Sequence, residues 1–142
     1  MEMTKVMKDI FKLDKGELTL EQINLIFKHL KMEVTFIDEN EILKFYSDNI
    51  HKVSVRVPAL LGRNIQACHP SKIVGFVNEM IRAFKANEQD EAEFWGEKNG
   101  KFIYTIYIAL RDENGNYKGI IQCKQDITKI RTLEGSNKIK FS

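Results

Sequence analysis

Cysteine, proline and glycine are all scarce in this 142-residue chain: two, two and eight respectively. Two cysteines far apart, Cys68 and Cys123, do not make the disulfide framework of a small secreted domain. So little glycine and proline excludes a collagen-like or low-complexity segment. No apolar run approaches membrane-spanning length, and the longest, Phe102 to Leu110, is interrupted by Thr105. The opening residues, MEMTKVMKDIFKLDKGE, are charged every few positions and lack the apolar core of a signal peptide. An excess of one charge sign is missing too: 22 basic residues face 20 acidic ones, interleaved along the chain. That excludes the basic stripe a nucleic-acid partner requires. The expectation is a cytoplasmic protein in a reducing compartment, with neither a membrane nor a nucleic acid as partner.

Catalytic motifs are also absent. The chain holds no Gly-rich phosphate loop, no His-Glu-x-x-His and no nucleophile elbow, so no enzyme activity is expected. Asp112-x-Asn114-x-Asn116 imitates the start of a calcium loop, but Tyr117 stands where glycine is needed and Cys123 where glutamate is needed. It reads as a hairpin turn.

What is present is the balance of a soluble globular domain, 43% apolar and 30% charged. A chain of this length buries roughly two thirds of its unfolded surface, enough for one core without metal or disulfide. Two helical patterns open it. Met3, Val6, Met7, Ile10 and Phe11 have helical spacing, and Lys15-Gly16 breaks it. Thr19 and Gln22 then form a capping box ahead of Leu20, Ile23, Phe27 and Leu30. From Val34 the period becomes two: strand 34–38, a two-residue turn at Glu39-Asn40, strand 41–47. Residues 48–70 have no clean period. A helix over 71–86 follows, with Ile73, Phe76, Val77, Met80, Ile81 and Phe84 on its apolar face. Strands over 91–98, 101–111 and 117–127 close the pattern, the first two joined by the type I′ signal Asn99-Gly100. The expected fold is α+β: a five-stranded antiparallel sheet with helices on one face, preceded by a helical extension.

That order resembles a PAS domain over about residues 31–130. The residues that carry the resemblance are Phe36-Ile37-Asp38-Glu39-Asn40, Leu61-Gly62-Arg63 and the closing stretch Gly119 to Thr128. A closer resemblance, through Gly62 to Pro70, Ala92-Glu93-Phe94-Trp95, Gly100 to Ile103 and Asp126 to Gly135, is to the PAS domain at the C-terminal end of bacterial and archaeal proteins that also carry a hemerythrin-like domain. The two N-terminal helices hold only His29, so the hemerythrin-like part is not expected here, and the chain reads as an excised module or a stand-alone sensor. The resemblance implies a sensory module that binds a ligand between helix and sheet. It also implies that Asp126-Ile127-Thr128 hands a signal to the following segment. Expected divisions are 1–31 as a helical cap or dimerisation segment, 32–130 as the PAS domain and 131–142 as a tail.

Candidate chemistry centres on Cys68-His69-Pro70, just before the long helix. Either side chain is a potential axial ligand to haem or another metal. The competing reading has His69 bonding backbone and Cys68 packing as a small hydrophobe. Haem is the leading specific cofactor, although haem-binding PAS sensors place their histidine inside the helix and Ile73–Val77 contains none. A cysteinyl–flavin adduct is not expected, because Ile65 rather than cysteine follows Gly62-Arg63-Asn64. Phe76, Met80, Trp95, Tyr104 and Tyr107 complete the candidate pocket, with Phe94 and Phe102 as neighbours. Cys123 is expected in the core and Arg63 in a surface ion pair. The functional expectation is a ligand-binding sensor acting as a homodimer through its N-terminal segment, with a signalling partner downstream. The rival is a ligand-free dimerisation module with a solid core.

Overall fold

The structure, a computed structural model, describes residues 9–141. Met3, Val6 and Met7 of the expected first helix lie outside them. Ile10 and Phe11 fall not in a helix but in a short strand, β1 (Ile10–Lys12), paired antiparallel with β2 (Glu17–Thr19). The turn between them closes through Leu13 N donating to Gly16 O at 3.1 Å, with Gly16 at φ +87°. Only glycine adopts that backbone at no steric cost, so the break at Lys15-Gly16 folds the chain back on itself. Helix α1 (Leu20–His29) then starts at the expected capping box: Gln22 N donates to Thr19 Oγ1 at 3.1 Å, and Thr19 N to Gln22 Oε1 at 2.9 Å.

The main sheet contains β3 (Glu33–Asp38), β4 (Leu43–Tyr46), β5 (Glu91–Lys98), β6 (Lys101–Arg111) and β7 (Tyr117–Asp126), in the spatial order β4-β3-β7-β6-β5 with every pairing antiparallel. The link between β3 and β4 is longer than the expected two residues. Asp38 Oδ1 accepts from both Asn40 N and Ile42 N, and Glu41 adopts φ +67°. Between β5 and β6 the positive φ of Asn99 and Gly100 makes the expected type I′ turn. Asp112 likewise organises the β6–β7 turn, accepting from Asn114 N and Asn116 N.

Helix α2 (Ser71–Lys85) crosses one face of the sheet, and short 3-10 turns at Pro58–Leu60 and Ile65–Cys68 precede it. Its residues Val77, Met80, Ile81 and Phe84 are buried against Ile37, Ile65, Tyr107 and Ile120. Apolar positions spaced by three and four thus become the core contact. Helix α1 has no fully buried residue and touches the opposite face, where Phe27 meets Phe45 with ring centroids 4.8 Å apart. Among the described residues no helix is long and apolar enough to cross a membrane.

Candidate functional site

The sheet face beneath α2 is chemically divided. Register places Ile37 opposite Ile120, then Thr35 opposite Gln122, then Glu33 opposite Lys124. On the other side of β7, Tyr107 faces Gln122 and Thr105 faces Lys124. One half is therefore apolar and packed under α2. The other half is polar, and Glu33, Thr35, Thr105 and Gln122 are all buried in it. Buried polar side chains are costly unless paired, so something must cover and bond them.

The cover is the irregular segment that precedes α2. Glu33 Oε1 accepts from Val53 N at 3.0 Å and Ser54 N at 2.8 Å. Arg56 Nη1 donates to Thr35 Oγ1 at 2.8 Å, and its Nη2 stands 3.5 Å from Glu33 Oε2. The Arg56 guanidinium lies 5.2 Å from the Tyr46 ring centroid. Lys124 Nζ donates to Ser54 Oγ at 3.2 Å, and Gln122 Nε2 donates to the Tyr107 hydroxyl at 3.3 Å. Burial pulls the pKa of Arg56 and of Lys124 down, and in both the Glu33 carboxylate opposes it. Burial pushes the Tyr107 phenol up to about 12.

Cover and sheet do not meet fully. Between them lies a cavity of about 470 Å³, with polar residues as its floor and Leu43, Leu60, Ile73, Phe94 and Ile103 among its apolar walls. A polar floor fixes the orientation of a ligand, and apolar walls supply area for its body.

The residues singled out from sequence distribute unevenly around this cavity. Cys68 and His69 line it where α2 begins. His69 Nδ1 sits 2.9 Å from Ile65 O, and since a carbonyl only accepts, Nδ1 is the donor. Cys68 Sγ donates to Asn64 O at 3.5 Å, and burial holds its pKa up. Among the described residues no group of three potential metal ligands forms. Phe76, half-exposed, forms an aromatic cluster with Phe94 and Tyr107, each pair of centroids 6.3 Å apart. Met80 belongs to the packed core and not to the cavity lining. Tyr104 is not in the pocket: strand alternation puts it on the face opposite Thr105, where its hydroxyl bonds Glu93. Trp95 borders the cavity along β5, but its register with Tyr104 directs the ring to that same outer face, where it is 60% exposed. Cys123 pairs in register with Ile106 on the outer face too, so the sheet stands between it and Cys68. Arg63 is exposed.

A family model described as a PAS domain matches residues 23–128. The chain belongs to the PAS domain family. Among solved structures it resembles a C-terminal domain from Streptococcus mutans, at 31% identity and a TM-score of 0.82, covering 90% of this chain and 99% of that one. It also resembles the PAS domain of a Colwellia psychrerythraea protein (17% identity, TM-score 0.54, covering 78% and 98%). A third is a sensory box sensor histidine kinase from Vibrio cholerae (14% identity, TM-score 0.53, covering 77% and 91%). The last two establish likeness of fold. A search of curated proteins finds no match.

PAS domains are sensory modules, generally without catalysis of their own, and the closing motif of this one is fully bonded. Phe102 N donates to Thr128 Oγ1 at 2.8 Å, while Thr128 N and Oγ1 both donate to Asp126 Oδ1, at 3.0 and 2.5 Å. The start of β6 is thereby tied to the end of β7. The polar lining of this PAS domain's cavity is the part sequence reasoning missed: Glu33, Thr35, Thr105, Gln122 and Lys124 on the sheet and Arg56 in the cover. A signal existed in the closing strand, where Gln122 and Lys124 share a phase with the core residue Ile120 and not with the outward Ile121 and Cys123.

Proposed function

We propose that this PAS domain is a sensor of a small molecule held between the polar half of the sheet, the segment 53–60 and the start of α2. The observation that carries the reading is the cavity itself, floored by buried polar side chains where a ligand-free module would pack apolar ones. A ligand there bridges β3, β7 and the covering segment, and it biases their arrangement by as much as its affinity differs between two states. The tie between Phe102 and Thr128 gives β6 and β7 a route to the tail, and the downstream partner would engage there. Homodimerisation through the N-terminal segment is supported by exposed Ile10, Phe11, Leu25 and Ile26. The C-terminal placement of the Streptococcus mutans domain fits the resemblance to PAS domains that end hemerythrin-containing proteins. A cytoplasmic address fits a domain without a membrane-spanning helix among its described residues.

Haem fits this cavity less well than a small polar ligand. The apolar helix face a macrocycle would cover, Val77, Met80 and Ile81, is already packed into the core, and the floor carries charge. Amide NMR of the protein titrated with a metabolite library tests the proposal, with hemin added to wild type and His69→Ala as one arm. Shifts centred on Thr35, Gln122 and Lys124 are expected for a bound metabolite. A Soret band that depends on His69, or a library and hemin that both leave these amides unmoved, would overturn it.

A further inference from the structure

The charges around the cavity do not cancel. Arg56, Lys98 and Lys124 stand against Glu33 and Glu97, with His69 and Cys68 as the other titratable groups in the lining. Glu33 is fully engaged: one oxygen accepts from two backbone amides, and the other faces Arg56. Lys124 is in the opposite condition. Its ammonium donates to the neutral Ser54 hydroxyl, Lys98 and Arg56 repel its charge, and Glu33 alone among the nearby groups supports it. Arg56 adds a buried Nε with no hydrogen-bond partner, on a side chain only 7% exposed. Positive charge therefore exceeds negative charge around the cavity, and apolar side chains form the walls.

We infer that the ligand is a small amphipathic carboxylic acid, its carboxylate received by Lys124 beside Gln122 and its apolar body lying against Ile73, Phe94 and Leu60. This rests on the cavity reading above and adds the ligand's charge and shape. A carboxylate would give Lys124 an anionic hydrogen-bond partner in addition to the neutral Ser54 hydroxyl, and a charge-assisted bond in a half-enclosed site is worth more than one between neutral groups. A dianion or a phosphate would gain less, because Glu33 and Glu97 would repel the second charge and the walls would desolvate it.

The test compares octanoate with octanol, which share an apolar body and differ in charge, by calorimetric titration and amide NMR. Wild type is expected to prefer octanoate by roughly tenfold or more, with shifts at Gln122 and Lys124. Lys124→Met, its fold checked by its amide spectrum, is expected to lose that preference and keep its affinity for octanol. Lys124→Arg, which keeps the charge, is expected to retain it. Equal binding of acid and alcohol by wild type, or an unchanged preference in Lys124→Met, would overturn the carboxylate inference and leave the cavity reading standing. Failure of both compounds to bind any of the three proteins would overturn the inference, and the metabolite-library titration would then decide the cavity reading on its own.

Discussion

At Gly119, β7 leaves no room for a side chain beside β3. The φ of Gly119 is +134°, and a Cβ built there would lie 2.3 Å from the Ile37 carbonyl oxygen and 3.2 Å from the Asp38 Cα. Neither obstacle is a flexible side-chain end, so the two strands would have to separate. Gly119→Ala is expected to cost about 3 kcal/mol or more, from strained backbone plus overpacking. A urea midpoint equal to that of wild type would show the contact to be dispensable. Tyr107 offers a pH test. Its phenol titrates near 10 in the unfolded chain and near 12 when buried in the fold. Between those values the unfolded chain has released the proton that the native state retains, so stability falls as pH rises. The contribution is complete below pH 10 and amounts to roughly 2–3 kcal/mol. Urea unfolding at pH 9 and pH 12 is expected to show the decline, and Tyr107→Phe to remove its share while Tyr117, also raised to about 12, keeps its own. Among single residues, Cys68 and His69 were legible as cavity neighbours because Pro70-Ser71 marks the start of a helix. Glu33 and Lys124 were not, since a charged residue in a strand reads as solvent-facing until a covering loop is known.

At the scale of elements, the β3–β4 turn is fastened to α2 through one side chain. Glu41 accepts from Lys85 Nζ at 2.7 Å and from Gln66 Nε2 at 2.7 Å, and these bonds, the Lys85 one foremost, hold its pKa down. It does so from a left-handed backbone conformation that disfavours side chains. Two substitutions separate these effects. Glu41→Ala loses the bonds and keeps the strain, at an expected cost of roughly 1–2 kcal/mol. Glu41→Gly loses the same bonds but relieves the backbone, so its cost is expected to be the smaller. Thermal unfolding of both variants decides it, and a glycine variant less stable than the alanine one would show the strain to be negligible. Elements with a strong periodic face or a definite turn signal were legible: α1 from its capping box, α2 from its apolar stripe, β5 and β6 from Asn99-Gly100. The β1–β2 hairpin was not. Its strands are three residues long, Ile10 and Phe11 are exposed, and two apolar residues spaced from Met3, Val6 and Met7 fit a helix equally well. Residues 48–70 follow no period because their side chains are spent on other elements: Asn49 donates to the Phe27 and Leu30 carbonyls at the end of α1, while Ser54 and Arg56 bond to the sheet.

Across the whole molecule, the switch from a period near 3.6 to a period of two announced an α+β sheet domain, and the residues around Gly62, Arg63 and Asp126 narrowed it to PAS. The cavity was beyond reach of such reasoning, because it exists only where a segment from one part of the chain fails to close over strands from two others. Strand order has a further consequence. The strand at the middle of the sheet, β7, is the last to be synthesised, and its pairing with β3 joins residues such as Ile37 and Ile120 across most of the chain. While a ribosome is still making residues 117–126, β3–β4 and β5–β6 are separate hairpins, each with an unpaired edge where β7 will sit. Neither hairpin can bury its apolar face alone. Folding therefore waits on the final strand and then completes in a single cooperative step, slowed by the long loop that must close. Until then the nascent domain depends on whatever shields exposed strand edges in the cell.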